Sequence, residues 1–115
     1  MLFQKESVGG ISIFTVNLKR ATMNEAGELK NLLNEEASKG VKQLIIDMSQ
    51  CEYVDSTFLG VIVAALKKFT ADAGDIRLVG FKSSAQSIID ITGTSRIFKV
   101  YPTLKLAVSS FKSAA

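Results

Sequence analysis

The sequence predicts a single α/β domain, with a mixed sheet of four to five strands and about four helices packed mainly on one face. Three observations carry that prediction. Strand-like and helix-like segments alternate along most of the chain, the pattern of parallel strands joined by right-handed helical crossovers. Two β-rich segments open the chain and meet at Gly9-Gly10, a tight-hairpin signal that makes the sheet mixed. The chain has 115 residues and no repeat, linker or low-complexity tract, which suits one core. The domain is read over 1–115, with its core at about 2–108 and 109–115 as a C-terminal tail.

The elements follow in order. Residues 2–8 and 11–18 are the two strands of the hairpin, because glycine reaches positive φ cheaply at the turn. Thr22 and Glu25 then have capping-box spacing, in which each side chain satisfies the other's free backbone N–H. Ala26, Leu29, Leu33 and Ala37 recur on one face of the helix that follows, and Gly40 is its stop. The run Gln43-Leu44-Ile45-Ile46-Asp47-Met48 reads as a buried strand. A second helix covers about 56–73 and ends near Gly74. Ile76-Arg77-Leu78-Val79-Gly80 is the next strand. Ser83 and Gln86 repeat the capping-box spacing, and Ala85, Ile88, Ile89 and Thr92 line a third helix before Gly93. A short strand at about 97–100 leads to Pro102, which suits a first helical turn. Leu104, Ala107, Val108 and Phe111 make the inner face of a last helix.

Composition excludes more than it includes. The chain has no His and one Cys. That removes a Ser-His-Asp triad, a Cys-His pair, a His-ligated metal, an internal disulfide and a Cys-rich zinc site. No enzyme is expected, and no cofactor or metal. The net charge is +3, with 14 Lys+Arg against 11 Asp+Glu. The basic residues are scattered among acids, with no stripe interleaved with stacking aromatics, so direct nucleic-acid binding is not expected. The longest apolar uncharged run, 61–66 behind Phe58 and Leu59, falls far short of the ~20 residues of a membrane span. A reduced, cytoplasmic setting fits a single Cys.

The informative stretch runs from Leu44 to Val61. A buried strand ends, a short polar loop intervenes, and a helix starts at Asp55-Ser56-Thr57. Loops at the carboxyl ends of strands are the functional edge of open α/β sheets. Asp, Ser and Thr also favour N-caps, so a plain helix start accounts for the same residues. The functional alternative is a phosphoacceptor at Ser56 or Thr57. A helix N-terminus tolerates a phosphate through its free N–H groups and positive dipole. From Phe58 to Leu66 the helix has no charged residue. A helix apolar round its circumference is either buried or covered by a partner, and both readings stand open here.

The order of elements, together with Asp47-Met48-Ser49, Asp55-Ser56-Thr57-Phe58-Leu59-Gly60-Val61, Thr92-Gly93 and Ile97-Phe98, resembles the STAS domain of bacterial anti-sigma factor antagonists. The resemblance covers about residues 2–108. It implies a partner-switching regulator. Unphosphorylated, such a protein binds an anti-sigma factor that is also a serine kinase, and so frees the sigma factor. Phosphorylation, here at Ser56, releases the partner, and a serine phosphatase resets the switch. ATP and magnesium belong to the kinase. The partner surface implied by the resemblance comprises Asp55, Ser56, Thr57, Phe58, Leu59, Gly60, Arg20 and Thr22. Two positions depart from the family pattern. Phe58 is bulky where many members are small, and Asn17-Leu18-Lys19-Arg20 has no acid where many carry one. Lys19 and Arg20 there can attract an acidic partner, or a phosphate on Ser56 if the two loops meet.

Other readings weighed are a STAS scaffold or regulatory subunit in a stress-sensing or lipid-transport complex, and a small-molecule or lipid-binding module. A phospho-receiver reading fails because no acidic pair follows an early strand. Asp47 is expected to structure its loop, Cys51 to be a small semi-buried residue, and Tyr53 to pack over the sheet edge.

Overall fold

The computed structural model describes residues 2–80 and 97–112. Its elements are β1 (Phe3–Val8), β2 (Ile11–Val16), β3 (Arg20–Ala21), α1 (Met23–Ser38), β4 (Gln43–Asp47), β5 (Tyr53–Val54), α2 (Ser56–Ala71), β6 (Asp75–Val79), β7 (Val100–Tyr101) and α3 (Leu104–Lys112). Five strands form one sheet in the order β1-β2-β4-β6-β7, and β3 pairs with β5 in a second, two-stranded sheet. The hairpin β1–β2 is antiparallel, and every other pairing is parallel, so the sheet is mixed as expected.

Gly9 and Gly10 make the hairpin turn with φ of 54° and 83°, and Val8 faces Ile11 across it. Two consecutive positive φ values make a two-residue turn whose twist matches that of the strands. Alternation along the strands then sends apolar side chains to both faces. Phe14, Val16, Leu44, Ile46, Ile76 and Leu78 meet Leu29, Leu33, Ile62 and Phe69 of α1 and α2. Ile11, Ile13, Ile45 and Val79 meet Ala107 and Phe111 of α3 on the opposite face. Among the described residues two helices thus cover one face and one helix the other.

Among the described residues there are three helices against the four or so expected, and the helix read over 83–92 lies outside those residues. The α1 capping box is formed as its spacing predicts. Its helix runs to Ser38, and Gly40 follows at φ 82°. The last helix starts at Leu104, two residues later than Pro102 implied. Thr103 caps it by accepting the Leu106 N–H at 3.2 Å. It continues to Lys112 with Phe111 buried, so residues 109–112 are helix and not tail. Among the described residues no helix is long and apolar enough to cross a membrane.

Candidate functional site

Two loops at one edge of the sheet build the site. The loop after β2 contains β3, and the loop after β4 contains β5. Parallel pairing sets Arg20 beside Tyr53 and Ala21 beside Val54. The Lys19 carbonyl accepts the N–H groups of Glu52 and Tyr53 at 2.8 and 3.0 Å, and the Ala21 carbonyl accepts that of Asp55 at 3.0 Å. These backbone bonds fix the start of α1 beside the start of α2.

Asp55 then joins the two helices directly. One carboxylate oxygen, Oδ1, accepts the Phe58 N–H at 2.8 Å and caps α2. The other, Oδ2, accepts the Met23 N–H at 2.8 Å, at the first residue of α1. Each N-terminus has free N–H donors and a partial positive charge, so one carboxylate between two of them is favourable twice over. Thr22 completes the arrangement on α1. Its hydroxyl accepts the Asn24 N–H at 3.2 Å, and its own N–H donates to Glu25 at 2.9 Å.

Ser56 and Thr57 are the first two residues of α2, and both are exposed. The structure therefore brings Thr22, Asp55, Ser56 and Thr57 together. Gly60 lies one turn further on the same exposed side. Arg20 is exposed on the adjoining strand, with its guanidinium 4.4 Å from the centre of the Tyr53 ring, a cation–π contact. The two loops that the Lys19-Arg20 reading required to meet do so.

Phe58 and Leu59 are a correction. The resemblance puts them on the partner surface, whereas they are 0% and 2% exposed and belong to the core. Phe58 stacks on Phe3 of β1 with ring centroids 6.4 Å apart. The bulky ring thus anchors the start of α2 to the edge strand β1. Cys51 is also fully buried, not half-buried. Burial, and then the nearby charge of Asp47, push its thiol up to about 11, so it is a neutral packing residue at pH 7. Asp47 structures its loop as read, accepting the Ser49 N–H at 3.0 Å.

Two features escaped the sequence reading. Met23 is 67% exposed directly beside the site. Its signal was an apolar residue off the stripe of Ala26, Leu29 and Leu33. The second feature is the outer side of α2, which is neither fully buried nor flat. A groove of about 430 Å³ runs between it and α1, past Thr57, Gly60 and Ala64. Another of about 370 Å³ passes Ser56, Gly60 and Val63 toward the exposed Ile97. The helix that looked apolar all round buries one side and presents a shallow apolar ridge on the other.

Comparison with known proteins follows the same lines. The model of the STAS domain family matches residues 3–107. A Thermotoga maritima protein named as a candidate anti-sigma factor antagonist is 30% identical over 83 residues, which cover 72% of this chain and 74% of that one. The crystal structure of an anti-sigma factor antagonist from Mycobacterium paratuberculosis has a TM-score of 0.84 at 25% identity, covering 94% of this chain and 91% of that one. The anti-sigma factor antagonist SpoIIAA in its unphosphorylated form has a TM-score of 0.84 at 14% identity, over 96% of each chain, a likeness of fold. The family model spans nearly the whole chain, and this chain belongs to that family: it is a STAS domain protein.

Proposed function

We propose that the chain is an anti-sigma factor antagonist, a non-catalytic cytoplasmic regulator that binds an anti-sigma factor through the start and outer side of α2. The anti-sigma factor is also the serine kinase that modifies Ser56, and a serine phosphatase reverses the modification. The observation that carries the reading is Ser56, exposed at the first position of α2 and flanked by Asp55, whose carboxylate holds both helix starts. The relatives named as antagonists of anti-sigma factors support it.

Magnitudes favour a switch at the surface over a switch in the fold. A phosphate at a helix start gains about 0.3–1 kcal/mol from the free N–H groups and dipole. The fold therefore tolerates it. To a docked partner it adds about −1.5 to −2 charge. Two unit charges 4 Å apart interact by about 4 kcal/mol near a protein surface, against about 1 kcal/mol in water. A partner surface fitted to a neutral hydroxyl beside one carboxylate is thus expelled, while the domain stays folded.

The test is reconstitution with the anti-sigma kinase encoded in the same genome. With ATP, one phosphate is expected, mapped to Ser56 and absent from Ser56→Ala. Ser56→Ala keeps wild-type affinity, and Ser56→Asp binds at least about tenfold more weakly, equivalent to ~1.4 kcal/mol. Undiminished binding by Ser56→Asp, or a phosphate mapped to Thr57 alone, sinks the assignment.

A further inference from the structure

The groove between α1 and α2 has one sign of charge. Its floor is apolar, formed by Leu33, Val61 and Ala65, and its rim carries Lys30 from α1 and Lys68 from α2. Among the described residues no carboxylate lines it. Helix α2 has no Asp or Glu over its whole length, 56–71. Neither lysine takes part in an ion pair among the described residues, whereas Lys5, Lys39 and Lys99 all do. The second groove repeats the pattern, with Lys67 at its rim and no acid among the described residues. Unpaired ammonium groups along an apolar trough between two helices complement a particular ligand shape. That shape is a third helix with an aliphatic stripe flanked by carboxylates.

We infer that this groove receives an acidic amphipathic helix of the partner protein, with aliphatic side chains against the floor and carboxylates against Lys30 and Lys68. The inference rests on the reading of α2 as the partner surface and adds the partner's chemistry. It also explains the direction of the switch. Thr57 lines the groove and Ser56 stands beside it. A phosphate there places negative charge at the mouth of a site that selects negative charge.

The probe is a synthetic amphipathic helix of about 18 residues, some five turns, with leucines on one stripe and glutamates beside it. A counterpart carries lysines in place of the glutamates. Titration into the isotope-labelled protein is followed by amide chemical shifts. The glutamate peptide is expected to shift Lys30, Thr57, Gly60, Ala64 and Lys68, and salt weakens it. Lys30→Glu and Lys68→Glu each weaken it several-fold, and the double variant weakens it by at least about tenfold. Lys105→Glu, exposed on α3 across the sheet, leaves it unchanged. Both groove lysines are exposed, so loss of fold is not expected, and circular dichroism checks it. Equal binding of the lysine peptide overturns the inference, as do shifts confined to other surfaces. So does oleate shifting the same amides when the glutamate peptide does not, since that makes the groove a lipid site. Failure of Ser56 phosphorylation with peptide binding intact counts against the switch alone. Normal switching with no charge preference counts against the groove alone.

Discussion

Glu36 shows how a single residue ties the hairpin to α1. Its carboxylate is 2% exposed, yet it accepts from Ser12 Oγ at 2.8 Å, Lys5 Nζ at 2.9 Å and Lys39 Nζ at 3.4 Å. Burial alone raises the pKa of such a group. The hydrogen bonds from Lys5 and Ser12, the charge of Lys5 and the bond from Lys39 outweigh it and hold the carboxyl below its ordinary 4.5. The folded state therefore binds this proton less readily than the unfolded chain. The associated stability is complete above about 4.5 and is lost as pH falls through the lower folded value. Lys5 is 39% exposed, so water screens part of its share. Glu36→Gln is expected to cost about 1–3 kcal/mol at pH 7 in urea denaturation and to flatten the acid limb of the stability profile. An acid limb unchanged by Glu36→Gln assigns the loss to other carboxylates. The place of Asp55 and Ser56 at a helix start was legible from residue type and position after a strand. The burial of Phe58 was not, because apolarity along a helix says nothing of which side faces inward.

At the scale of elements, the end of α2 is held by two unlike neighbours. Ala73 has φ 63°, the left-handed region in which a side chain is strained. Gly74 follows, and a Cβ on it would stand 2.6 Å from the Lys42 carbonyl oxygen. The glycine expected as a helix stop is therefore needed for close approach to the chain entering β4, and the turn conformation falls on the alanine. Ala73→Gly is expected to stabilise the protein by about 0.5–1 kcal/mol. Gly74→Ala should destabilise it by about 2 kcal/mol or more, through displaced backbone. Thermal melts of the two variants check both signs, and stabilisation by Gly74→Ala contradicts the geometry. The hairpin turn and the α1 cap were legible because a glycine pair and a capping box act locally. The pairing of β3 with β5 was not, since two-residue strands have no periodicity and are made by loops that meet only in the folded chain.

For the whole molecule, α3 closes the second face of the sheet. Without it Ile11, Ile13, Ile45 and Val79 would face water. Its anchor is Phe111, with the Arg77 guanidinium 4.0 Å from its ring centre. Arg77 is itself buried and donates to Asp75 at 3.0 Å and Ser110 at 2.8 Å, so a charge is satisfied beneath the helix. Phe111→Ala is expected to cost about 3 kcal/mol. For a domain of this size that lowers Tm by roughly 10 °C. A Tm within about 2 °C of wild type would show that α3 is dispensable to the fold. The alternation of strands and helices made the architecture readable. An apolar stripe on α3 predicts that it packs, but not against which face.

The double grip of Asp55 has a kinetic corollary. The amide hydrogens of Met23 and Phe58 lie 35 positions apart in sequence (58 − 23), yet they share one acceptor group. Neither is shielded by the helical ladder, since both sit in a first turn. Their exchange with deuterium is therefore governed by a single event, the swing of one side chain, and the two are expected to exchange in step. In Asp55→Ala both should lose protection together, while the amides of mid-helix Leu29 and Ile62 keep theirs. Two unrelated protection factors in the wild type would mean that the two hydrogen bonds open independently.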